Sequence, residues 1–124
     1  MLNQPVFKEL SYEIIGTAMR VHRELGYGFL EKVYENALMV SFEEADISAR
    51  QQFPIKVTFH GRIVGDYFAD ILVDDSVILE LKAQDRISQA HRSQTLNYLK
   101  ATDYRLALLI NFGKSSLEYE RLVN

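Results

Sequence analysis

The sequence predicts one α/β domain in which a mixed β-sheet carries α-helices on both faces. In the first third of the chain, apolar residues recur at steps of three and four, as in amphipathic helices. Short apolar runs separated by turn residues follow, as expected for strands. A further helical pattern lies between the third and fourth strand patterns, which is typical of a crossover connection between two parallel strands.

The composition indicates a single folded domain over residues 1–124, with a hydrophobic fraction of 48% and a charged fraction of 25%. The formal net charge of −3 gives no global attraction to nucleic acid or acidic membranes, so any anion site must be local. The absence of cysteine excludes disulfides and thiolate zinc sites. Neither a signal peptide nor a membrane-spanning apolar run is recognisable, and we expect a cytoplasmic protein.

Three helices are expected. The first covers residues 7–25 and ends at Gly26, and the second covers residues 30–45. The third covers residues 88–101, where Ser88 can cap its first turn.

Four strands are expected, with a candidate fifth strand at the sheet edge. The first two are joined by a turn at His60-Gly61, and Gly65 is a candidate bend or bulge in the second. The predicted strands are residues 52–59, 62–73, 77–82 and 104–110, with residues 117–123 as the candidate edge strand.

Charged residues interrupt two of these apolar strands: Asp70 in the second, and Glu80 and Lys82 in the third. A buried charge is costly unless it is paired or bound to a metal. Two converging carboxylates can bind a hard divalent cation, and Lys82, on the same strand face as Glu80, can act on a water molecule. The alternative is an exposed Glu80–Lys82 pair on an edge strand with Asp70 in a turn. Spacing alone favours this alternative, whereas the apolar neighbours of Asp70 favour a site.

The loop between these two strands decides whether the carboxylates meet. A two-residue turn would pair Asp70 with Leu79 and leave Glu80 on the opposite face of the sheet. A three-residue loop over residues 74–76 would pair Asp70 with Glu80. Since a shared site requires both carboxylates on one face, we predict the three-residue loop.

These residues resemble the core motif of the PD-(D/E)XK nuclease superfamily. Asp70 followed by Glu80-Leu81-Lys82 is similar to its aspartate and Glu-x-Lys pattern, although Phe68 stands where the superfamily's name has proline. Residues 28–34, GFLEKVY, match the name-giving motif of its GxxExxY family of small bacterial proteins. The resemblance covers residues 7–124 and implies a restriction-endonuclease-like core.

The resemblance also implies roles for individual residues. The metal ligands for Mg²⁺, which Mn²⁺ can replace, would be Asp70, Glu80, the carbonyl of Leu81 and Glu31. Lys82 would act on water and would complete the catalytic set. Gln94 and Tyr98, four residues apart on one face of the third helix, match a further family-type motif and would contact the substrate.

Structural alternatives exist for the helical residues of this set. Gly28 could be an N-cap with Glu31 as the third helical residue, where a carboxylate favours the helix dipole, and Tyr34 would then belong to the core. Gln94 and Tyr98 could equally form an ordinary helix face.

The implied function is hydrolysis of phosphodiester bonds in nucleic acid, and DNA is the expected substrate. Candidate contacts to the sugar–phosphate backbone are Arg86, Arg92, Lys100 and Arg23. The acidic net charge argues against tight binding by a monomer, so a homodimer or a protein partner would help to form the groove. The alternative function is a non-catalytic nucleic-acid-binding or protein-interaction module with the same fold. The small size and negative charge of the chain favour that module, and the joint presence of Asp70, Glu80 and Lys82 disfavours it.

Overall fold

The structure, a computed structural model, describes residues 7–124 and contains three helices and five strands in the order ααβββαββ. The helices are α1 (Lys8–Leu25), α2 (Glu31–Glu44) and α3 (Gln89–Ala101). The strands are β1 (Ala49–Phe59), β2 (Arg62–Val73), β3 (Val77–Lys82), β4 (Leu106–Asn111) and β5 (Glu118–Val123). The candidate edge strand is therefore present. No helix within the described residues is long and apolar enough to cross a membrane.

The five strands form one sheet in the order β1-β2-β3-β4-β5. Neighbouring strands are antiparallel except for β3 and β4, which are parallel and are connected through α3. This arrangement confirms the predicted mixed sheet with a helical crossover. It also places β3, which carries Glu80 and Lys82, at the centre of the sheet and not at an edge.

Helices cover both faces of the sheet, as predicted. On one face, apolar residues of α1 and α2 pack against side chains of β2, β3 and β4 that include Ile71, Leu79 and Leu108. On the other face, Tyr98 and Leu99 of α3 pack against a smaller apolar cluster. Because side chains alternate along a strand, β3 directs Leu79 and Leu81 toward the first two helices and Glu80 toward the α3 side.

The β2–β3 connection has the predicted three-residue loop. Val73 pairs with Val77, and the loop closes through a 2.9 Å hydrogen bond from the backbone N–H of Ser76 to the carbonyl of Val73. Asp74 and Asp75 both have φ near +50°, a conformation that aspartate tolerates better than most residues. This register brings Asp70 and Glu80 to equivalent positions on the two strands.

The outer half of β2 extends past β3 and pairs with β1 alone, as a two-stranded arm. Val57 pairs with Gly65 and Thr58 with Ile63, so Val64 is an extra residue that forms a β-bulge beside the predicted Gly65. The arm turns at His60-Gly61, where both residues have positive φ. Large apolar side chains on this arm are exposed: Phe59, Ile63, Val64, Tyr67 and Phe68.

The segment that follows β4 fixes the backbone that follows β3. The buried amide of Asn111 accepts hydrogen bonds from the N–H groups of Gln84 and Gly113, and it donates to the carbonyl of Gln84 and the carboxylate of Glu118. The N–H of Phe112 donates to the carbonyl of Lys82 at 2.8 Å. These bonds hold the carboxyl end of β3, where the charged residues lie.

We expect Gly113→Ala to lower the free energy of unfolding by about 2–4 kcal/mol. A Cβ at this position would overlap the backbone atoms of Gln84 and Ala83, which cannot rotate away as a side chain can. Urea denaturation measures the change. Gly16→Ala in α1 is the control, because its Cβ would meet only the Arg20 side chain at 3.6 Å and alanine favours the helix by about 1 kcal/mol. Equal effects of the two substitutions would contradict the close packing at Gly113.

Candidate active site

Asp70 lies where β2 separates from the regular sheet. The β2–β3 pairing ends at Ile71 and Leu79, and Gln52, which faces Asp70 from β1, has a positive φ of 52°. The backbone N–H of Leu81 donates to Oδ2 of Asp70 at 2.7 Å. This hydrogen bond holds the Asp70 carboxylate against β3, beside Glu80.

Glu80 is buried on the central strand, with 7% of its surface exposed. Its Oε1 atom is buried and has no hydrogen-bond partner, the only such side-chain atom within residues 7–124. Burial, and then the neighbouring Asp70 carboxylate, raise the pKa of Glu80 to about 9, and the positive charge of Lys82 partly opposes this shift. The site therefore contains a carboxyl group whose charged form has too few partners.

The surroundings of Asp70 are also acidic. Burial raises the pKa of Asp70, the hydrogen bond from Leu81 lowers it, and the charges of Glu35 and Glu31 raise it again. Two carboxylates of α2 therefore add to the negative potential around Asp70. Such a potential attracts a cation to this position.

The donor atoms fit a hard divalent cation for which the protein supplies only some of the ligands. Within the described residues, no three His, Cys, Asp or Glu side chains are grouped closely enough to enclose a metal ion. Magnesium, however, is commonly held by one or two carboxylates, with water and substrate phosphate oxygens completing its octahedron. Asp70 and Glu80, with the unpartnered Oε1, provide such a pair.

Lys82 is partly buried at the end of β3, on the same face as Glu80. The positive charge of Lys82 lowers the pKa of Glu80. It also lowers the pKa of His91, for which burial is the larger cause. Lys82 therefore affects groups on both β3 and α3. His91 itself has a structural role: its Nδ1 accepts the N–H of Ser88 at 3.1 Å, and Oγ of Ser88 accepts the N–H of His91 at 3.2 Å. This capping box confirms the predicted start of α3.

Glu31 is half-buried and lines a cavity of about 510 Å³ together with Asp70 and Gln52. The capping alternative for Glu31 requires Gly28 as N-cap, but the N-cap of α2 is Leu30 and Glu31 is the first helical residue. Tyr34 is fully buried, and its hydroxyl donates to the carbonyl of Gly26 at 2.7 Å. Tyr34 therefore belongs to the core, although the N-cap that this alternative assumes is not the one observed.

Glu35 is an acidic residue near the site that the sequence reasoning missed. It is 3% exposed, and its carboxylate accepts hydrogen bonds from Lys32, Gln51 and Gln52. The charge of Glu35 raises the pKa of Asp70 more than the charge of Glu31 does. The available signal was its spacing of four from Glu31, which places both carboxylates on one helix face.

If Glu31 contributes to metal binding, Glu31→Gln should lower Mg²⁺ affinity by about 10- to 100-fold and leave the melting temperature nearly unchanged. The removed charge is one that acts on Asp70. Titration calorimetry and thermal melts measure the two quantities. The control is Glu43→Gln at the exposed far end of α2. A lower melting temperature with unchanged Mg²⁺ affinity would show that Glu31 only stabilises α2.

Gln94 and Tyr98 form a connected pair on α3, with Nε2 of Gln94 donating to the Tyr98 hydroxyl at 3.1 Å. Burial raises the pKa of Tyr98 to about 12, and the charges of Glu80 and Asp70 add to the shift. The structure therefore places Tyr98 within range of the charges of the two carboxylates. The Tyr67 ring of the β1–β2 arm lies 5.8 Å from the Tyr98 ring.

The four candidate cations are in different situations. Arg86, Lys100 and Arg23 are exposed, the first in the connection between β3 and α3. Arg92, in contrast, donates from Nε and Nη2 to the carboxylate of Glu120 at 2.6–2.8 Å. Its side chain is thus engaged with β5, and this geometry gives no support to its predicted contact with substrate.

The PD-(D/E)XK nuclease superfamily matches residues 8–122 of this chain. A crystal structure of SSO0001 is similar, with a TM-score of 0.57 and 13% identity over 75% of this chain and 49% of that chain. An alkaline exonuclease (LHK-Exo) from Laribacter hongkongensis has a TM-score of 0.45 and 13% identity over 87% of this chain and 67% of its own. This chain thus spans about half the length of SSO0001. No curated protein matches it.

The observed order of elements, the mixed sheet and the similarity to SSO0001 give a restriction-endonuclease-like fold. The superfamily match covers nearly the whole chain and includes every charged residue of the site described above. The chain therefore belongs to the PD-(D/E)XK nuclease superfamily.

Proposed function

We propose that this protein is a Mg²⁺-dependent nuclease that hydrolyses phosphodiester bonds of nucleic acid, and that its substrate is DNA. The observation that carries the proposal is the pair formed by half-buried Asp70 and buried Glu80, with one Glu80 oxygen that has no hydrogen-bond partner. Lys82 follows two residues later on the same strand face. A paired carboxylate site next to a lysine suits hydrolysis of an anionic ester.

In this proposal Asp70 and Glu80 hold the cation, and the carbonyl of Leu81 is a further ligand. The carboxylate of Glu31, which is not at coordinating distance from this pair, would act on the cation through a water molecule. When bound, a divalent cation offsets the negative charge that develops on the phosphate oxygens. Lys82 orients the water whose oxygen bonds to phosphorus as the bond to the leaving sugar oxygen breaks. The water loses a proton in this step, and the leaving oxygen takes one up to become a hydroxyl. The hydrogen bond from Leu81 keeps Asp70 in place through this step.

Gln94 and Tyr98 are the proposed substrate contacts from α3, supported by their hydrogen bond and by the proximity of Tyr98 to the carboxylates. Arg86 and Lys100 are proposed contacts to the phosphate backbone, supported by their exposure. Within the superfamily, we propose the GxxExxY family, on residues 28–34 of the sequence.

The second candidate is a non-catalytic binding module with this fold. Two observations favour it: no third acidic or histidine side chain joins Asp70 and Glu80 at coordinating distance in residues 7–124, and the net charge is −3. The carboxylate pair argues against this module. An unpaired buried charge costs stability, and a protein that binds no cation would gain nothing from it.

Cleavage of end-labelled DNA and RNA in Mg²⁺, Mn²⁺ or EDTA tests the proposal. We expect cleavage with either cation, none with EDTA, and none for Asp70→Asn in any buffer. Asp103→Asn, at an exposed position outside the site, is the matched control and should cut normally. If folded wild-type protein cuts neither DNA nor RNA with any divalent cation, the nuclease proposal is wrong and the binding module replaces it.

A further inference from the structure

A groove of about 830 Å³ runs between α3 and the β1–β2 arm. We call it the α3 groove. It is lined on one side by Val57, Thr58 and Tyr67 of the arm and on the other by α3. Tyr98 belongs to its wall and also lies close enough to Glu80 and Asp70 for their charges to affect it. The groove therefore shares Tyr98 with the surroundings of the candidate active site.

The α3 groove has the chemistry of a surface that contacts nucleotide bases. Tyr67 is 45% exposed, and its ring lies 5.8 Å from the ring of Tyr98, so part of its surface is accessible to a ligand in the groove. Gln94 and Asn97 add amide groups from α3. Amides supply both hydrogen-bond donors and acceptors, which match the edges of unpaired bases.

Phosphate contacts, in contrast, are few around this groove. Lys100 is the one cation among its lining residues. Four other cations in the described residues are engaged in ion pairs: Lys32 with Glu35, Arg50 with Asp75, Lys56 with Asp66, and Arg92 with Glu120. Proteins that grip a duplex neutralise many phosphates, whereas single-strand sites obtain much of their affinity from aromatic stacking.

From these observations we propose that the α3 groove binds an unpaired strand of nucleic acid and directs it to the carboxylate pair. The inference rests on the proposed function and specifies its substrate class as single strands or frayed ends. Bases stack on Tyr67, amides of α3 contact base edges, and Lys100 contacts a phosphate.

Fluorescence anisotropy in EDTA, where the proposed cleavage is absent, measures binding alone. The probes are labelled oligothymidylate and the same strand in duplex with oligodeoxyadenylate. We expect the single strand to bind about tenfold or more tightly than the duplex, because its bases are free to stack. Tyr67→Ala should weaken single-strand binding by about 5- to 100-fold, and Tyr67→Phe, which keeps the ring, should restore most of it.

Tyr12→Ala is the matched control, since Tyr12 is 82% exposed on α1 and lines a different cavity. It should bind both probes as the wild type does. Equal binding of single strand and duplex, or equal binding by wild type and Tyr67→Ala, would overturn the inference. The inference would also be overturned if the wild type sedimented as a homodimer and Tyr67→Ala as a monomer, because a second copy of the chain would then occupy the groove.

The cleavage assay separates this inference from the proposed function. If single and double strands are cut equally and Tyr67→Ala does not change the cutting, the nuclease proposal stands and the proposed role of the groove is wrong. Tyr67-dependent binding of single strands by a protein that cuts nothing would keep the groove and remove the nuclease.

Discussion

Lys82→Ala should lower the rate of cleavage by about 10²- to 10⁴-fold and leave Mg²⁺ affinity within a few fold of the wild type. The proposed cation ligands are Asp70 and Glu80, and both remain in this variant. Lys82 is instead the group placed to orient water, at the end of β3 on the face of Glu80. Single-turnover cleavage measures the rate, and titration calorimetry measures the affinity.

Lys114→Ala is the control for loss of a positive charge, because Lys114 is exposed in the connection between β4 and β5. It should cut at the wild-type rate. Two results would contradict the role given to Lys82. Unchanged cleavage would remove it from the reaction, and a parallel loss of Mg²⁺ binding would show that its charge mainly keeps the two carboxylates ionised.

The sequence predicts most of this fold because its elements are marked by local signals. Amphipathic periodicity identifies α1 and α2, and Ser88 marks the start of α3. The three-residue loop at residues 74–76 follows from a physical requirement, since only that register places Asp70 and Glu80 together. The sequence predicts the start of β1 at residue 52 and not at Ala49, because Arg50 and Gln51 are polar and show no apolar alternation.

What the sequence does not predict depends on contacts between distant residues. Glu35 looks like a surface residue of α2, but Gln51 and Gln52 of β1 supply the hydrogen bonds that allow its burial. Arg92 looks free to contact substrate, but Glu120, 28 residues later, binds its guanidinium. Neither partner can be identified until the sheet order is known.

The metal-free protein should lose stability as the pH rises from about 5 to about 9. The pKa of Glu80 is about 9 in the folded protein, against an ordinary value of 4.5. Between these values the folded protein keeps a proton that the unfolded chain releases, so the free energy of unfolding falls with rising pH. At about 1.4 kcal/mol per pKa unit, the loss reaches at most ~6 kcal/mol. Asp70, whose pKa is also raised, adds in the same direction.

Glu80→Gln removes this titration, so its stability should depend much less on pH and should exceed that of the wild type at alkaline pH. Magnesium should oppose the loss in the wild type, because it binds the ionised carboxylates and stabilises the native state by mass action. Its stabilising effect should therefore grow with pH and disappear in Glu80→Gln. Thermal melts across this pH range, with EDTA or Mg²⁺, measure all three effects, and Glu43→Gln controls for loss of an exposed carboxylate. Parallel pH profiles for the wild type and Glu80→Gln would mean that Glu80 is ionised without strain. The unpartnered oxygen would then no longer be evidence for a cation site.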